Sequence, residues 1–503
     1  MSAPRPRGLQ AVPLERLAGL LGVDYAGAAG VAVSGVSVDS GSVVAGDLFA
    51  ALPGANSHGA VYVSAARDRG AVAVFTDADG AELLASMGVE LPVLAVDKPR
   101  DRLGAVAALI YGEPSAAMDL VGITGTNGKT TTAYLLEGVL AAAGHTTALI
   151  GTIETKIAGE QLPQARTTPE APELQAILAV ALQAGVDAAV MEVSSHALSL
   201  GRLNGTKLRA AVFTNLSQDH LDFHGTMDDY FAAKLSMFRP EFAETAVIGV
   251  DDEWGEKVME RTRLAHVTYS VTGVPWADWQ ISDLASTIDG TEFRAVGPAG
   301  ESVVVTVAIP GAYNAANALA ALATGVSLGI DPATAARGIA SVAGVPGRLE
   351  RIDAGQPYAA FVDFAHTPNA VRTVLETLRP LTSGRLVVVL GCGGDRDRGK
   401  RPAMARAAVD GADDVIFTSD NPRSEDPLEI LREMTDGLTA PYRVEPDRHR
   451  AIAESVRGLG AGDTVVVAGK GHETGQEVAG VVTPFDDRNV LRASVIDDRA
   501  RSG

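Results

Sequence analysis

The sequence lacks the features of an exported or membrane-embedded protein. Its only cysteine is Cys392, so no disulfide can form within the chain, and such scarcity is typical of a reducing compartment. No run of about 18 apolar residues occurs, which argues against a membrane-spanning helix. The helix-like segment at residues 14–21 carries charges and therefore differs from the apolar core of a signal peptide. We expect a cytoplasmic protein.

The chain also lacks an excess of positive charge. It has 42 basic and 62 acidic side chains, which give a formal net charge of −20. Nucleic acids and anionic membrane surfaces attract proteins through excess Lys and Arg, so this balance argues against both as general partners. A local basic pocket stays compatible with it.

What the sequence does contain is an alternation of apolar runs with helix-like stretches, which is typical of parallel sheets covered by helices. We predict an α/β protein of three domains, because 503 residues exceed one ordinary core. The domains are placed at residues 1–115, 116–345 and 346–503. The second is predicted as a P-loop-type parallel sheet and the third as a Rossmann-like unit. Residues 274–308 interrupt the pattern and predict a β-hairpin.

A glycine-rich loop follows the strand-like residues 120–123 and precedes a helix-like run. Glycines let backbone N–H groups surround phosphate oxygens, and a helix N-terminus adds partial positive charge. The lysine would reach the β- and γ-phosphates, and a threonine hydroxyl would hold Mg²⁺. The loop is a variant, because Ile123 stands where the common G-x-x-x-x-G-K-S/T pattern has glycine; a chance glycine-rich turn is the alternative. The predicted ATP-binding residues are Gly125, Thr126, Asn127, Gly128, Lys129, Thr130 and Thr131.

Two later segments place polar side chains at strand ends. Glu192 ends the buried-type strand 188–193, and we predict it as a Mg²⁺ ligand opposite Thr130, the alternative being a strand end capped by Ser194. His220 lies in a polar segment whose spacing matches no zinc pattern and suits hard-cation and phosphate chemistry; an ordinary loop histidine is the alternative. Lys234 sits in an apolar helix, where a lysine is usually a surface residue with its stem on apolar neighbours.

Charged loops also follow three strands of the last predicted domain. They begin after Leu390, Phe417 and Ala468 and contain acids together with arginines. Their convergence would form a pocket for a zwitterion, with acids for an amine and arginines for carboxylates. Three unrelated surface loops are the alternative.

Together these sequence segments resemble the Mur ligases over nearly the whole chain. Within that family they are most similar to the members that add diaminopimelate. The resemblance rests on residues 124–131, 167–170, 192–196, 214–222, 313–317, 347–350 and 363–366 and on the three C-terminal loops. The string 420–423 looks like the motif that selects diaminopimelate, because Arg423 can bind the extra carboxylate that distinguishes it from lysine.

The resemblance implies an ATP-dependent ligase of cytoplasmic peptidoglycan precursor synthesis. Such a monomeric enzyme joins meso-2,6-diaminopimelate to UDP-MurNAc-L-Ala-D-Glu through an acyl phosphate, with Mg²⁺. A lysine-adding or folylpolyglutamate-type ligase, or a nucleotide-dependent binding module, are the alternatives.

The same resemblance implies site residues by position. The first domain would bind the UDP-linked substrate, the second ATP and the third the amino acid. Lys234 would be N6-carboxylated and would join Thr130 and Glu192 at the metal, with Lys129 and His220 among the catalytic residues. The remaining implied positions are Val38, Ser40, Ala55, Asn56, Ser57, Thr167, Thr168, Ser194 and Arg202 for the UDP-linked substrate, Asn317, Arg348, Asp363 and His366 for the nucleotide, and Arg396, Asp420, Asn421, Pro422, Arg423, Gly469 and Glu473 for diaminopimelate.

Overall fold

The computed structural model describes residues 4–25, 30–162 and 166–502. Its backbone divides into two compact units. The first holds the chain up to Trp279 together with Ala320–Gly338, and the second holds Gln280–Leu319 and the chain from Ile339. The boundaries of the three domains stay predictions. Among the described helices, none is both long and apolar enough to cross a membrane.

The N-terminal part of the first unit contains a four-stranded parallel sheet in the order β3-β4-β5-β6, beside a two-stranded antiparallel sheet, β1-β2. The central strands are buried along their whole length and are mostly apolar. In chain order the elements are β1 Val12–Pro13, α1 Leu14–Leu21, β2 Ala32–Val33, β3 Gly35–Ser37, β4 Asp47–Ala50, α2 Val63–Asp68, β5 Ala73–Thr76, α3 Ala78–Ser86, β6 Val93–Ala95 and α4 Pro99–Ile110, with 3₁₀ turns at Ser40–Ser42, Gly59–Tyr62 and Pro114–Ala117.

The next part contains six parallel strands in the order β8-β11-β7-β12-β13-β14, with β9 and β10 antiparallel beside β8. The strand β7 is central, so the loop at its carboxyl end lies among the ends of its neighbours. The elements are β7 Asp119–Thr124, α5 Lys129–Ala142, β8 Thr147–Ile150, β9 Thr155–Ile157, β10 Glu160–Leu162, α6 Ala171–Gln183, β11 Ala188–Glu192, α7 Ser195–Ser199, β12 Leu208–Phe213, α8 Leu221–His224, α9 Met227–Leu235, β13 Ala243–Gly249, α10 Glu253–Arg261 and β14 Ala265–Ser270.

The segment predicted as one hairpin forms two consecutive hairpins. The strands β15 Trp279–Thr287, β16 Gly290–Val296 and β17 Ser302–Val307 pair antiparallel in sequence order. Glycine turns at Gly290 and Gly300, both with positive φ, connect them. Two helices follow, α11 Ala312–Ser327 and α12 Pro332–Ala340.

The C-terminal part of the second unit contains a sheet in the order β18-β19-β23-β20-β21-β22, in which only β18 is antiparallel. The insertion of β23 between β19 and β20 creates a switch point, where crevices form at the carboxyl ends of strands. The predicted α/β class is confirmed. The elements are β18 Glu350–Arg351, β19 Ala359–Asp363, α13 Pro368–Leu378, β20 Leu386–Leu390, α14 Lys400–Gly411, β21 Asp414–Phe417, α15 Pro427–Thr435, β22 Arg443–Val444, α16 Arg448–Ser455, β23 Thr464–Ala468, β24 Gly475–Val478, β25 Val481–Pro484 and α17 Asp487–Ser502, with a 3₁₀ turn at Arg379–Leu381.

Candidate functional site

The glycine-rich loop joins the end of β7 to the start of α5. Gly125 has φ +150°, and a Cβ there would lie 1.8 Å from Thr214 Oγ1, so only glycine fits. Gly128 precedes the helix with φ 88°. The Nζ of Lys129 donates to the carbonyls of Gly125 and Thr126, each at 2.9 Å. The loop thus has the strand–turn–helix context that phosphate binding requires.

The segment after β12 holds this loop in place. The backbone N–H of Thr126 donates to the carbonyl of Asn215 at 2.9 Å, and the N–H of Asn127 donates to Asn215 Oδ1 at 3.0 Å. The Thr126 hydroxyl donates to the carbonyl of Ser217 at 3.1 Å. The phosphate loop is therefore bonded to a second strand end before any ligand binds.

Glu192 lies beside the first turn of α5, as predicted from its strand. It is 1% exposed, and its Oε2 accepts the hydroxyl of Thr130 at 2.9 Å. The N–H of Thr152 donates to Oε1 at 2.6 Å, and a Cβ on Gly151 would lie 2.5 Å from Oε1. Hydroxyl and carboxylate oxygens are the donors that Mg²⁺ prefers. Within the described ranges, no cluster of three or more His, Cys, Asp or Glu side chains suits a metal ion.

Lys234 is buried, which corrects the surface position that its helix alone indicated. It is 1% exposed, because it lies one turn after Tyr230 on the face of α9 that packs into the core. Its Nζ donates to the carbonyl of Gly125 at 2.8 Å and lies 4.6 Å from the Tyr230 ring centre. Burial lowers the pKa of Lys234 well below its ordinary value, and the nearby Lys129 lowers it further.

His220 belongs to a group of histidines near these lysines. Its ring lies 4.8 Å from that of His196, and His224 Nε2 lies 2.9 Å from Ser195 Oγ. Burial lowers the pKa of His220 to about 4, although Asp219 opposes the shift. The ring is therefore neutral at neutral pH.

Four residues predicted for the UDP-linked substrate come together next to Glu192. The Thr168 hydroxyl donates to the backbone carbonyl of Glu192 at 2.9 Å, and the N–H of Ser194 donates to that hydroxyl at 3.1 Å. Arg202 donates to the Thr168 carbonyl at 3.1 Å. Thr167 Oγ1 lies 3.1 Å from Thr152 Oγ1, so this group and the carboxylate share a neighbour.

The other residues predicted for that substrate lie on two loops of the N-terminal sheet. Val38 and Ser40 follow β3, and residues 55–57 follow the adjacent parallel strand β4. The side chain of Asp39 accepts the N–H of Gly41 at 2.9 Å and fixes the first loop. Ser57 Oγ lies 3.3 Å from the hydroxyl of Tyr62. Both loops therefore occupy the carboxyl edge of this sheet.

In the second unit, the residues predicted for the nucleotide surround the end of β19. The buried carboxylate of Asp363 accepts the N–H groups of Leu349 at 2.6 Å and Ala365 at 2.8 Å. Burial raises the pKa of Asp363, against the effect of Arg348. Arg348 Cζ lies 4.6 Å from the Phe364 ring centre, and His366 Nδ1 lies 2.7 Å from the Phe364 carbonyl oxygen.

Asn317 lies on α11, where it is buried. Its Nδ2 donates to Asn314 Oδ1 at 3.1 Å, one turn earlier. Tyr313, on the same helix, lies close enough to Asp363 for that carboxylate to raise the Tyr313 pKa further after burial has raised it. The start of α11 and the end of β19 thus border one region of the second unit.

The three charged loops of the C-terminal sheet converge, so the alternative of unrelated surface loops is wrong. Asn421 Nδ2 donates to Glu473 Oε2 at 2.8 Å, and Arg423 Nη1 donates to the carbonyl of Gly394 at 2.6 Å. A Cβ on Gly469 would lie 2.8 Å from Asp420 Oδ2. Acidic, amide and guanidinium groups therefore face one another at the switch point.

Arg423 is held in an unusual backbone conformation. Its φ is +54°, a left-handed value that costs energy for a residue with a side chain. Its N–H donates to the Glu477 carbonyl at 3.0 Å, and its own carbonyl accepts from Ala479 at 2.6 Å. The hairpin β24–β25 thus fixes this arginine. The neighbouring carbonyl of Pro422 accepts the N–H of Glu425 at 3.1 Å.

Arg396 is the most exposed member of the predicted amino-acid site. Its Nη1 donates to the carbonyl of the preceding Asp395 at 3.1 Å. Sequence reasoning missed Thr152 and Lys470, which bind predicted site residues directly. A signal existed for both, because Thr152 follows the apolar strand β8 and Lys470 lies between Gly469 and Glu473. The ligand roles of all these residues stay predictions.

Comparison with known domain families matches three consecutive parts of the chain. The Mur ligase family catalytic domain matches residues 32–111. The Mur ligase middle domain matches residues 123–325, and the Mur ligase glutamate ligase domain matches residues 347–471.

Full-length relatives carry the comparison further. The chain is 50% identical to a UDP-N-acetylmuramoyl-L-alanyl-D-glutamate–2,6-diaminopimelate ligase of Streptomyces avermitilis, with 98% of each chain covered. It is 48% identical to a ligase of the same name from Corynebacterium glutamicum, covering 93% of this chain and 92% of that one. A solved structure of a ligase with this name is similar with a TM-score of 0.70 and 34% identity, over 97% of this chain and 100% of that one.

Proposed function

Because the chain belongs to the Mur ligase family, we propose that it joins meso-2,6-diaminopimelate to UDP-N-acetylmuramoyl-L-alanyl-D-glutamate at the expense of ATP. The product is the UDP-linked tripeptide of peptidoglycan precursor synthesis, formed with ADP and phosphate. The proposal includes a cytoplasmic, monomeric enzyme.

The observation that carries the choice of amino acid is the convergence of the three charged loops, where Asn421 donates to Glu473 and Arg423 donates to the carbonyl of Gly394. Diaminopimelate differs from lysine by one additional carboxylate. A guanidinium offers a planar, bidentate partner for such a group, whereas acids and amide oxygens suit its ammonium groups. The named ligases from Streptomyces and Corynebacterium support the same choice.

The proposed reaction has two steps. First, the side-chain carboxylate of D-glutamate attacks the γ-phosphorus of ATP, the bond to the β-phosphate oxygen breaks, and ADP leaves. The amine of diaminopimelate then attacks the resulting acyl phosphate at carbon, the amide bond forms, and phosphate leaves as the amine loses a proton. Neither step needs an oxidant or a reductant.

The residues of the phosphate loop would act by position and charge. The N–H groups of the loop and the Nζ of Lys129 would bind the phosphates, and the carbonyls of Gly125 and Thr126 hold that Nζ at the loop. Thr130 and Glu192 fit Mg²⁺ by their oxygen donors, and they would hold it beside the phosphates. The ion, when bound, would neutralise charge on the transferred group. Thr167, Thr168, Ser194 and Arg202 would bind the substrate next to it.

Lys234 would complete this site in a modified form. The lowered pKa favours its neutral amine, which can add to the carbon of CO₂ and lose a proton to give a carbamate. This reaction would replace a buried amine by a carboxylate. The carboxylate would add an oxygen ligand to those of Thr130 and Glu192.

Product analysis tests the proposed function. The purified chain is incubated with ATP, Mg²⁺, the UDP-linked dipeptide and either meso-diaminopimelate or L-lysine, and the products are identified by mass spectrometry. We expect the tripeptide with diaminopimelate in large excess, with one phosphate released for each amide bond. Preferential use of lysine, or ATP hydrolysis without tripeptide, would refute the proposal.

A further inference from the structure

Lys470 is a fully buried lysine inside the predicted amino-acid pocket. It is 0% exposed, and it lies on the loop that follows β23. Its Nζ donates to Asn421 Oδ1 at 2.9 Å and to Glu473 Oε2 at 3.0 Å. Burying an ammonium group is costly unless charged or polar partners compensate it, and these two acceptors do so.

The contact with Asn421 fixes the orientation of that amide. Asn421 Oδ1 accepts from Lys470 and also from the N–H of Glu477 at 3.0 Å. Its Nδ2 consequently points to Glu473 Oε2 at 2.8 Å. An amide turned the other way would direct its NH₂ group at an ammonium and at an N–H, which gives no hydrogen bond.

The two donors also fix the carboxylate of Glu473. Both Lys470 and Asn421 bind its Oε2. Among the described residues, none donates a hydrogen bond to its Oε1. One oxygen is therefore committed to the protein, and the other keeps its lone pairs for a cationic ligand.

We propose that Lys470 is a positioning residue for the ammonium group of the amino-acid substrate. It holds Glu473 so that Oε1 is presented to the substrate, and it holds the Asn421 amide that shares this task. The inference rests on the proposed function and adds to it a residue that acts through Glu473. The specific consequence is that loss of Lys470 weakens binding of the amino acid while binding of ATP and of the UDP-linked dipeptide is retained.

The test is steady-state kinetics of full-length Lys470→Met with each substrate varied in turn. Methionine keeps the length of the side chain and removes the donor. We expect the KM for diaminopimelate to rise about 10- to 100-fold, the range for loss of a hydrogen bond to a charged group, with the other two KM values within about 3-fold of wild type. Arg432→Met, which removes a cation from an exposed ion pair of the same unit, should change none of the three.

A double-mutant cycle separates positioning from a general structural role. If Lys470 acts through Glu473, Lys470→Met should add little to the diaminopimelate KM of Glu473→Gln. Additive effects, an unchanged KM in a folded variant, or equal rises for all three substrates would overturn the inference. If Lys470→Met does not unfold cooperatively, Lys470→Gln replaces it in the same kinetic test. Glutamine retains a donor, and equal rises in all three KM values would again contradict the inference. A wild-type chain that makes no tripeptide would instead overturn the proposed function.

Discussion

One buried lysine lies beside the phosphate loop and another lies in the predicted amino-acid pocket, and the two lysines have different partners. Lys234 donates to a backbone carbonyl and lies over a tyrosine ring, and no carboxylate of the described residues pairs with it. Lys470 donates to a carboxylate and to an amide oxygen. Burial lowers the pKa of Lys234.

This difference in partners matches the two roles proposed for the lysines. An amine that is easily neutral is a nucleophile, and it suits the carboxylation proposed for Lys234. A lysine with a fixed carboxylate partner orients other groups, which is the role inferred for Lys470. Changes near the phosphate loop should therefore affect turnover with every amino acid, and changes in the pocket should affect affinity for one substrate.

The largest effect is expected from Lys129→Ala. It removes the cation at the start of α5 that would bind the phosphates, so kcat/KM should fall about 10³-fold or more. The loss should be equal for all amino acids. The melting temperature should stay near that of wild type, because the Nζ of Lys129 donates to carbonyls of its own loop. Tripeptide formation at a wild-type rate would contradict the assignment of the loop.

Lys234→Met should follow, with kcat lowered about 10²- to 10³-fold. Carbon-13-labelled bicarbonate should give a carbamate signal in the NMR spectrum of the wild type that is absent from this variant. Lys257→Met, which removes a lysine paired with Glu253 on α10, should keep both the signal and the activity. A variant with normal kcat, or a wild type without the signal, would place Lys234 with the structural lysines.

Only part of the difference between the two lysine sites could be predicted from the sequence. The glycine loop, its lysine and Glu192 were predictable, because neighbours in sequence form them or one strand end carries them. The burial of Lys234 was not predictable from its helix, because nearly all of its neighbours are apolar and the packed face depends on tertiary contacts. The contact of Thr152 with Glu192 required the order β8-β11-β7, and strand order is set by packing across the sheet.

For the amino-acid pocket, the sequence predicted the loops but not the side-chain contacts between them. The three charged loops were each visible, and their convergence followed from the rule for strand ends. Glu473 is only three positions from Lys470, but Asn421 is 49 positions away, and periodicity carries no information on a contact over that distance. One hairpin was predicted at 274–308, and the structure has two, because the turn at Gly300 also reverses the chain.

Arg423→Ala tests whether a change in the amino-acid pocket affects one substrate selectively. The KM for diaminopimelate should rise about 10- to 100-fold, because a charge-assisted contact to the extra carboxylate is lost. Activity with lysine should change little, so the preference for diaminopimelate should shrink. Arg432→Ala, on the surface of the same unit, should leave that preference intact. An equal loss with both amino acids would indicate that Arg423 supports the loop rather than selecting the substrate.

His472 is a half-buried base of the second unit, and its Nδ1 is buried with no hydrogen-bond partner among the described residues. Burial, with Arg348 and Arg488 nearby, lowers the pKa of His472 to about 4 from an ordinary 6.5. The unfolded chain therefore takes up a proton below about pH 6.5, which the folded chain does not accept until about pH 4. The contribution of His472 to the free energy of unfolding therefore falls as the pH decreases through this window.

Urea unfolding of wild type and His472→Asn at pH 7 and pH 5 measures this contribution. The stability difference between the two proteins should shift by about 1–2 kcal/mol between the two pH values, with the wild type losing more at pH 5. His449→Asn, at an exposed position on α16, should not shift it. A wild type that loses no more than the variant would mean that His472 finds a partner for its proton in the fold. His472 would then have a hydrogen-bond partner in the folded chain, as Lys470 has.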